Sequence, residues 1–422
     1  MRNILFAVSI LIIALALVET ASAARQPNAQ PPNIVLILAD DVGREVLGCY
    51  GGTSYRTPNI DGLAAEGTRY EHAYTMPTCH PTRISLLTGQ YPFRLSNPPW
   101  GTFPRAAEHR TLPRLLKQAG YATAVGGKWQ LALLKDDLTQ PNRLGFDEYC
   151  LYGWHEGPWY YQPHIRHNGK LREDVRDRYG PDVICDFVID FIERNKDRPF
   201  FAFYSMSLCH AETNDLEKPA PRGPHGRYDS YAEMVTKMDD RVGRVMQALD
   251  RLGLREKTLV VYFTDNGTAA RNLINAEGDQ YIYEEVVSRM GKREIPGGKA
   301  TLTDWGTRVP LIVNWLGTVS PGEVSSELVD VAGAALPDDM ELDGHSMTAQ
   351  LRGEAPLRRW VFAEHEGQRF VRNQRWKLYQ DGRFYDMQAD PDEQRALDTE
   401  RLSPAAAAAH QELHAALAEL RR

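Results

Sequence analysis

The stretch Ile34-Val35-Leu36-Ile37-Leu38-Ala39-Asp40-Asp41 is an unbroken apolar run, rich in β-branched residues, that stops abruptly at two carboxylates. A strand with one wet face alternates apolar and polar residues, whereas a continuous run is covered on both faces, as in a parallel sheet. The pattern recurs at Leu259-Val260-Val261-Tyr262-Phe263, which passes through Thr264 into Asp265-Asn266-Gly267. It appears again at residues 121–125, leading into Gly126-Gly127-Lys128, and at residues 200–204, with His210 following shortly after. Helical periodicity separates these runs, over residues 112–119, 183–195 and 231–252. In the last of these Met234, Val235, Met238, Val242, Val245, Met246 and Leu249 recur at three- and four-residue spacing before Gly253. Strands alternating with helices predict an α/β fold, a large mostly parallel sheet sandwiched by helices. Ligands in such folds bind beyond the carboxyl ends of the strands. Four strand ends would therefore bring Asp40, Asp41, Asp265, Asn266, Lys128 and His210 to one edge. An Asp-Asp or Asp-Asn-Gly alone reads equally as a turn or helix cap; two such ends in one sheet favour a site.

Composition narrows the class. The chain has 422 residues, 42% hydrophobic and 25% charged, enough for a sizeable core without disulfides or structural metals. Its net charge of −7 argues against a broad nucleic-acid-binding face, so no nucleic-acid partner is expected. Arg2 precedes an apolar run over residues 4–18, and Thr20-Ala21-Ser22-Ala23-Ala24 fits a signal-peptidase site. Residues 1–23 read as a signal peptide and 24–31 as a leader. The apolar run is shorter than the roughly 20 residues of a spanning helix, although an uncleaved anchor is the alternative. No long apolar run follows, so an exported protein, periplasmic or secreted, without stable membrane insertion is expected. Five cysteines, at 49, 79, 150, 185 and 209, are an odd count for an exported chain. With Cys79 set aside, the other four could form two disulfides; alternatively all five are free thiols.

Asp40, Asp41, Asp265 and Asn266 form an all-oxygen set suited to a hard divalent cation, calcium in first place and magnesium in second. A nucleophile candidate lies in Pro77-Thr78-Cys79-His80-Pro81-Thr82-Arg83-Ile84-Ser85-Leu86-Leu87-Thr88-Gly89. Pro81 fits a helix first turn, which would place Cys79 just ahead of a helix N-terminus with Arg83 one turn on. A buried inert thiol is the plainer reading of any such cysteine.

Cys79-His80-Pro81-Thr82-Arg83 followed by Leu86-Leu87-Thr88-Gly89-Gln90-Tyr91-Pro92 resembles the signature of the type I, formylglycine-dependent sulfatases, arylsulfatase-like members of the alkaline phosphatase superfamily. Ile34 to Asp41, Thr57-Pro58-Asn59-Ile60-Asp61, Phe263 to Gly267, Gly298-Lys299, Arg308-Val309-Pro310, Trp376-Lys377-Leu378-Tyr379 and Phe384-Tyr385-Asp386 resemble further segments in the family's order. The resemblance implies a catalytic domain over 32–322 and a C-terminal subdomain over 323–422. In the latter, short runs separated by turns predict a small antiparallel sheet and the Ala-rich end a helix. It implies that Cys79 is oxidised to formylglycine by a formylglycine-generating enzyme. Asp40, Asp41, Asp265, Asn266 and the converted Cys79 would bind calcium, Arg83, Lys128 and Lys299 would surround the sulfate, and His210 would face the leaving-group oxygen. A hydrated formylglycine would attack sulfur with one hydroxyl and expel sulfate through the other, a route closed to an unmodified Cys.

Two departures stand out. The family usually carries a His where this chain has Gln130, and Gln cannot accept a proton near neutral pH. His155, His164 and His167 are candidate replacements, against the plainer reading of each as a surface or packing residue. Asp304-Trp305-Gly306 replaces a common Glu-Gly-Gly, a change expected to reshape the pocket rim. Trp154-His155-Glu156-Gly157-Pro158-Trp159-Tyr160-Tyr161-Gln162-Pro163-His164 has the aromatic density of a sugar-stacking surface or of a packed loop. Gln130, Trp154, His155 and His164 are thus candidate substrate contacts, and the basic residues from His164 to Arg172 either attract a second sulfate or form a solvated loop. A sulfatase acting on sulfated carbohydrate is the first expectation. A phosphonate or phosphate ester hydrolase and a catalytically weakened glycan-binding relative are the alternatives. The sequence leaves oligomeric state open.

Overall fold

The computed structural model describes residues 31–278, 280–317, 342–344 and 358–420. The signal peptide, most of the leader and the 322/323 boundary lie outside them. Five strands make the centre of a nine-stranded sheet: β1 (Asn33–Ala39), β2 (Ala122–Lys128), β3 (Glu148–Tyr152), β4 (Phe200–Ser205) and β5 (Thr258–Thr264). They lie in the spatial order β5-β1-β4-β2-β3, every neighbouring pair parallel. Two antiparallel strands extend each side, Leu311–Asn314 and then Thr68–Arg69 beyond β5, and Ile165–His167 and then Lys170–Leu171 beyond β3.

The continuous apolar runs are explained by cover on both faces. Along β1, Val35, Ile37 and Ala39 pack with Met234, Val235, Met238 and Val242 of one long helix and with Ile184 and Val188 of another. Ile34, Leu36 and Leu38 pack on the opposite face with Ile84, Leu87 and Leu116. The helical residues come from α1 (Cys79–Thr88), α2 (Gly180–Arg194) and α3 (Tyr231–Arg251), with Leu116 on the short helix Leu112–Gln118. α2 begins three residues before the expected start because Pro181 sits in its first turn, where a missing N–H costs nothing. Ser230 and Glu233 form a reciprocal capping box on α3. Cys79 is the first residue of α1, not a residue ahead of it.

Register delivers the site. Ala39 is paired with Thr264, so the residues that follow, Asp40 and Asp265, leave the sheet side by side. Ser205 pairs with Leu38 on one side and Gly127 on the other, which brings Lys128 to the same edge. Beyond β4 the chain stays attached to β1: Asp40 N–H donates to Leu208 O (2.9 Å) and Cys209 N–H to Asp40 O (2.6 Å).

The C-terminal part is a four-stranded antiparallel sheet, Val361–His365, Gln368–Arg372, Trp376–Tyr379 and Phe384–Asp386, covered by the helix Pro404–Glu419. Its core takes in Met76 and packs with Tyr91 and Phe93. All five cysteines are free thiols, Cys49 half-buried and the others buried, which overturns the two-disulfide reading. Among the described residues no helix is long and apolar enough to cross a membrane.

Candidate active site

Cys79 opens α1 directly over the ends of β1 and β5. Its thiol lies 3.4 Å from Asp40 Oδ1 and 4.0 Å from Asp41 Oδ1. Thr82, one turn on, donates its hydroxyl to Asp265 O (2.8 Å), which ties the helix to β5. Asn266 donates its amide to Asp41 Oδ1 (2.8 Å) and to Gly267 O (2.8 Å). Gly267 has no alternative, since a Cβ there would stand 1.7 Å from the Trp305 carbonyl oxygen. Asp41 holds a left-handed backbone conformation (φ 57°), strain of the kind concentrated where side-chain direction matters.

Three cations face these carboxylates. Arg83 is buried: its Nη2 bonds Asp265 Oδ2 (2.9 Å) and lies 3.6 Å from Asp40 Oδ2, and its Nη1 donates to Ser205 Oγ (2.5 Å) and Lys128 O (3.2 Å). Lys128, also buried, forms an ion pair with Asp40. Lys299 reaches Asp41 Oδ1 at 2.6 Å and keeps 22% of its side chain exposed, so it stands at the mouth. Its loop is pinned to the Cys79 segment by Ala300 N–H donating to Pro77 O (2.8 Å). Burial pushes the Cys79 thiol up, with Asp265 and Asp40 adding to the effect, so an unmodified Cys79 stays protonated and is a weak nucleophile. Asp41 is held below the usual carboxylate range, Lys299, His210 and Lys128 together outweighing its burial.

The arrangement fits a hard cation. Donor atoms of Asp40, Asp41, Cys79 and Asp265 lie within 4.8 Å of one another, all buried. Asn266 Oδ1 is buried and finds no hydrogen-bond partner, the condition of an oxygen waiting for a ligand. The sulfur of Cys79 is the donor least suited to such an ion; an oxygen at that position would complete the set. Three carboxylates are matched by three cations here, so a divalent ion would leave the pocket net positive for an anionic ester.

His210 stands opposite. Its Nδ1 lies 2.8 Å from Ala211 O, so Nδ1 carries the proton and Nε2 the lone pair. Burial lowers its pKa to about 3, with Lys128 and Lys299 pushing the same way. Its ring packs against Trp159 (5.4 Å between centroids) and Trp154 (6.1 Å), and Lys128 Nζ sits 5.4 Å from the centre of Trp154.

The other candidates divide. Trp154 is half-buried beside the cations, whereas Trp159 and Tyr160 are packed core, so most of the aromatic stretch is a buried loop. Gln130 is buried with a left-handed backbone (φ 63°), its Oε1 unpartnered. His155 is exposed and bound to Asp215 (2.9 Å). His164 lies 3.4 Å from Glu156, which also holds Arg166 (2.6 Å), and Arg172 is paired with Asp174 (2.7 Å). Those pairings remove most of the basic segment as a second sulfate anchor. Asp304 is no rim residue either: it is buried and holds Arg372 of the C-terminal sheet through both oxygens (2.7 and 2.6 Å). Ser205, which orients Arg83, escaped the sequence reading; the signal available was a hydroxyl at the end of a buried strand.

A family model described as Sulfatase matches residues 32–336. The chain belongs to the type I sulfatase family. This sulfatase is 31% identical to the steryl-sulfatase of Mus musculus, over 89% of this chain and 74% of the relative. It is 30% identical to the N-acetylgalactosamine-6-sulfatase of Canis lupus familiaris, over 79% of this chain and 68% of the relative. Its fold resembles that of a solved protein in complex with its substrate D-glucosamine-2-N,6-O-disulfate, with a TM-score of 0.66 and 22% identity over 93% of this chain and 98% of the other. As a sulfatase it is a sulfuric ester hydrolase.

Proposed function

We propose that this sulfatase is exported and removes sulfate from a sugar, with Cys79 converted to formylglycine and calcium held by Asp40, Asp41, Asp265 and Asn266. The observation that carries the proposal is the meeting, on the one side chain of Cys79, of three cations and a buried set of oxygens that includes the unpartnered Asn266 Oδ1. The sugar is suggested by relatives named for or bound to sulfated amino sugars and by Trp154 beside the pocket. A hydrated formylglycine would supply the nucleophilic hydroxyl that a thiol lacks, and calcium the Lewis acid on an ester oxygen.

The chain's own residues do the rest. Arg83, fixed by Ser205 and Asp265, and Lys128 present positive charge to the sulfuryl oxygens at no reorganisation cost in the transition state. Lys299, partly exposed, closes over the anion from the mouth. His210 is neutral chiefly because it is buried, with Lys128 and Lys299 adding to the effect. A bound sulfate ester would offset the lysine part of that effect and raise the ring's affinity for a proton at Nε2, the nitrogen left to meet the leaving oxygen.

Peptide mass spectrometry of protein recovered from the exporting cell should find Cys79 with the mass lost when CH2SH becomes CHO. That protein should release inorganic sulfate from sulfated saccharides, and Cys79→Ala should not. Conversion without any sulfate release from saccharides, alongside cleavage of aryl or steryl sulfate, would overturn the sugar assignment.

A further inference from the structure

Trp100 keeps 43% of its surface exposed, although indole is among the costliest side chains to leave in water. It does not stand alone. Its ring meets Trp154 at 4.9 Å and His155 at 5.2 Å between centroids, both edge to face. Trp154 in turn packs on Trp159 at 4.6 Å, and Lys128 Nζ lies 5.4 Å from the Trp154 ring. The aromatic surface is therefore continuous from the cations of the pocket to solvent.

The support beneath it is built. Glu212 is buried and accepts backbone N–H groups from Trp159 (3.0 Å), Tyr160 (3.0 Å) and Thr213 (2.9 Å), which joins the aromatic loop to the segment carrying Asp215. Asp215 holds His155 at 2.9 Å, and His155 adopts a left-handed backbone (φ 58°). The polar groups along this wall include two carboxylates that already have partners, Asp215 with the His155 ring and Glu156 with Arg166. Flat rings edged by partnered carboxylates suit the C–H face and hydroxyls of a neutral pyranose, and Arg166, already bound to Glu156, is not free to anchor a second sulfate.

We infer that Trp100, with Trp154 and His155, is the platform for an uncharged sugar ring next to the ring that bears the sulfate ester. The inference rests on the sugar-sulfate reading above. It makes the substrate at least a disaccharide and Trp100 a specificity-determining residue. The test is calorimetric titration of the Cys79→Ala protein with a monosulfated disaccharide and with the matching sulfated monosaccharide, repeated with Trp100→Ala and Trp100→Phe added. Trp100→Ala should weaken disaccharide binding about tenfold, the scale of one stacking contact, and monosaccharide binding by much less, with Trp100→Phe intermediate. In active wild-type background the same change should raise KM for the disaccharide and spare kcat, and Leu138→Ala, another exposed apolar site, should alter neither. Equal losses for both sugars, or no loss for the disaccharide in a variant that melts normally, would overturn the platform. Saccharide binding indifferent to Trp100 leaves the sugar reading standing without it. Failure of every sulfated saccharide to bind, while an aryl or steryl sulfate binds, removes the sugar reading and the platform with it.

Discussion

Replacing Ser205 by alanine tests whether the charge of Arg83 must be aimed as well as present. Ser205 is fully buried at the end of β4; its hydroxyl receives Arg83 Nη1 at 2.5 Å and donates to Lys128 O at 2.6 Å. Removing it leaves Nη1 with one longer bond, to Lys128 O at 3.2 Å, while Nη2 keeps Asp265. A hydrogen bond to a charged group contributes about 1.5–3 kcal/mol. Expressed wholly in transition-state stabilisation, that is a fall of about 10- to 150-fold in kcat/KM. The loss should appear in kcat more than in KM, because a misaligned guanidinium still attracts the anion but meets its developing charge less well. The assay is initial-rate release of inorganic sulfate, with thermal melting as the check on folding. Ser205→Thr, which keeps the hydroxyl, should recover most of the rate. Activity of Ser205→Ala within twofold of wild type would refute the reasoning and leave Asp265 as sufficient support for Arg83; a loss that Thr does not recover would point to packing instead.

Three further outcomes are expected. Chelation with EGTA should lower the melting temperature by several degrees and added calcium should restore it, since an ion bound only by the native state at a hundredfold excess over its Kd stabilises by about 2.7 kcal/mol. Asp265→Asn should blunt that response, and a melting curve indifferent to both treatments would count against the metal. Asp304→Ala should cost about 3–5 kcal/mol in urea unfolding, because the buried Arg372 would lose its carboxylate partner, whereas Lys377 keeps Glu393 at 2.7 Å; an unchanged midpoint would assign the whole role to other partners. Burial raises the Glu212 carboxyl from its ordinary 4.5 to about 7. The native state therefore keeps a proton that the unfolded chain releases between those values, and this group's contribution to stability falls as pH rises through that window. Glu212→Gln should flatten that part of the pH–stability profile, measured by denaturant midpoints, and a steeper profile in the variant would contradict the assignment.

Much of the site was readable in one dimension because buried parallel strands leave a plain signature. Asp40, Asp41, Asp265 and Asn266 follow apolar runs immediately, and a polar residue at the end of such a run has nowhere to go but the edge of the sheet. Lys128 and His210 were legible for the same reason. Ser205 was not, since a serine after Phe200 to Tyr204 is an ordinary strand end until the side chain it meets is known. The change at Asp304-Trp305-Gly306 reads as one of the pocket rim, whereas Asp304 is taken up by Arg372, a partner too far along the chain to be seen in one dimension. For the basic run from His164 to Arg172 the sequence allows a second-sulfate anchor or a solvated loop, and the pairings of Arg166 with Glu156 and Arg172 with Asp174 favour the loop.

Hydrophobic periodicity and the residues that interrupt it are local properties, so the chain by itself determined its strands, its principal helices and the identity of the groups at the strand ends. Pairings between distant residues depend on register and packing, which no single segment contains. Only the tertiary structure decided that Arg83 is aimed by Ser205, that the cysteines stay unpaired, that most of the aromatic stretch is buried, and that Trp100 continues its exposed part outward from the pocket.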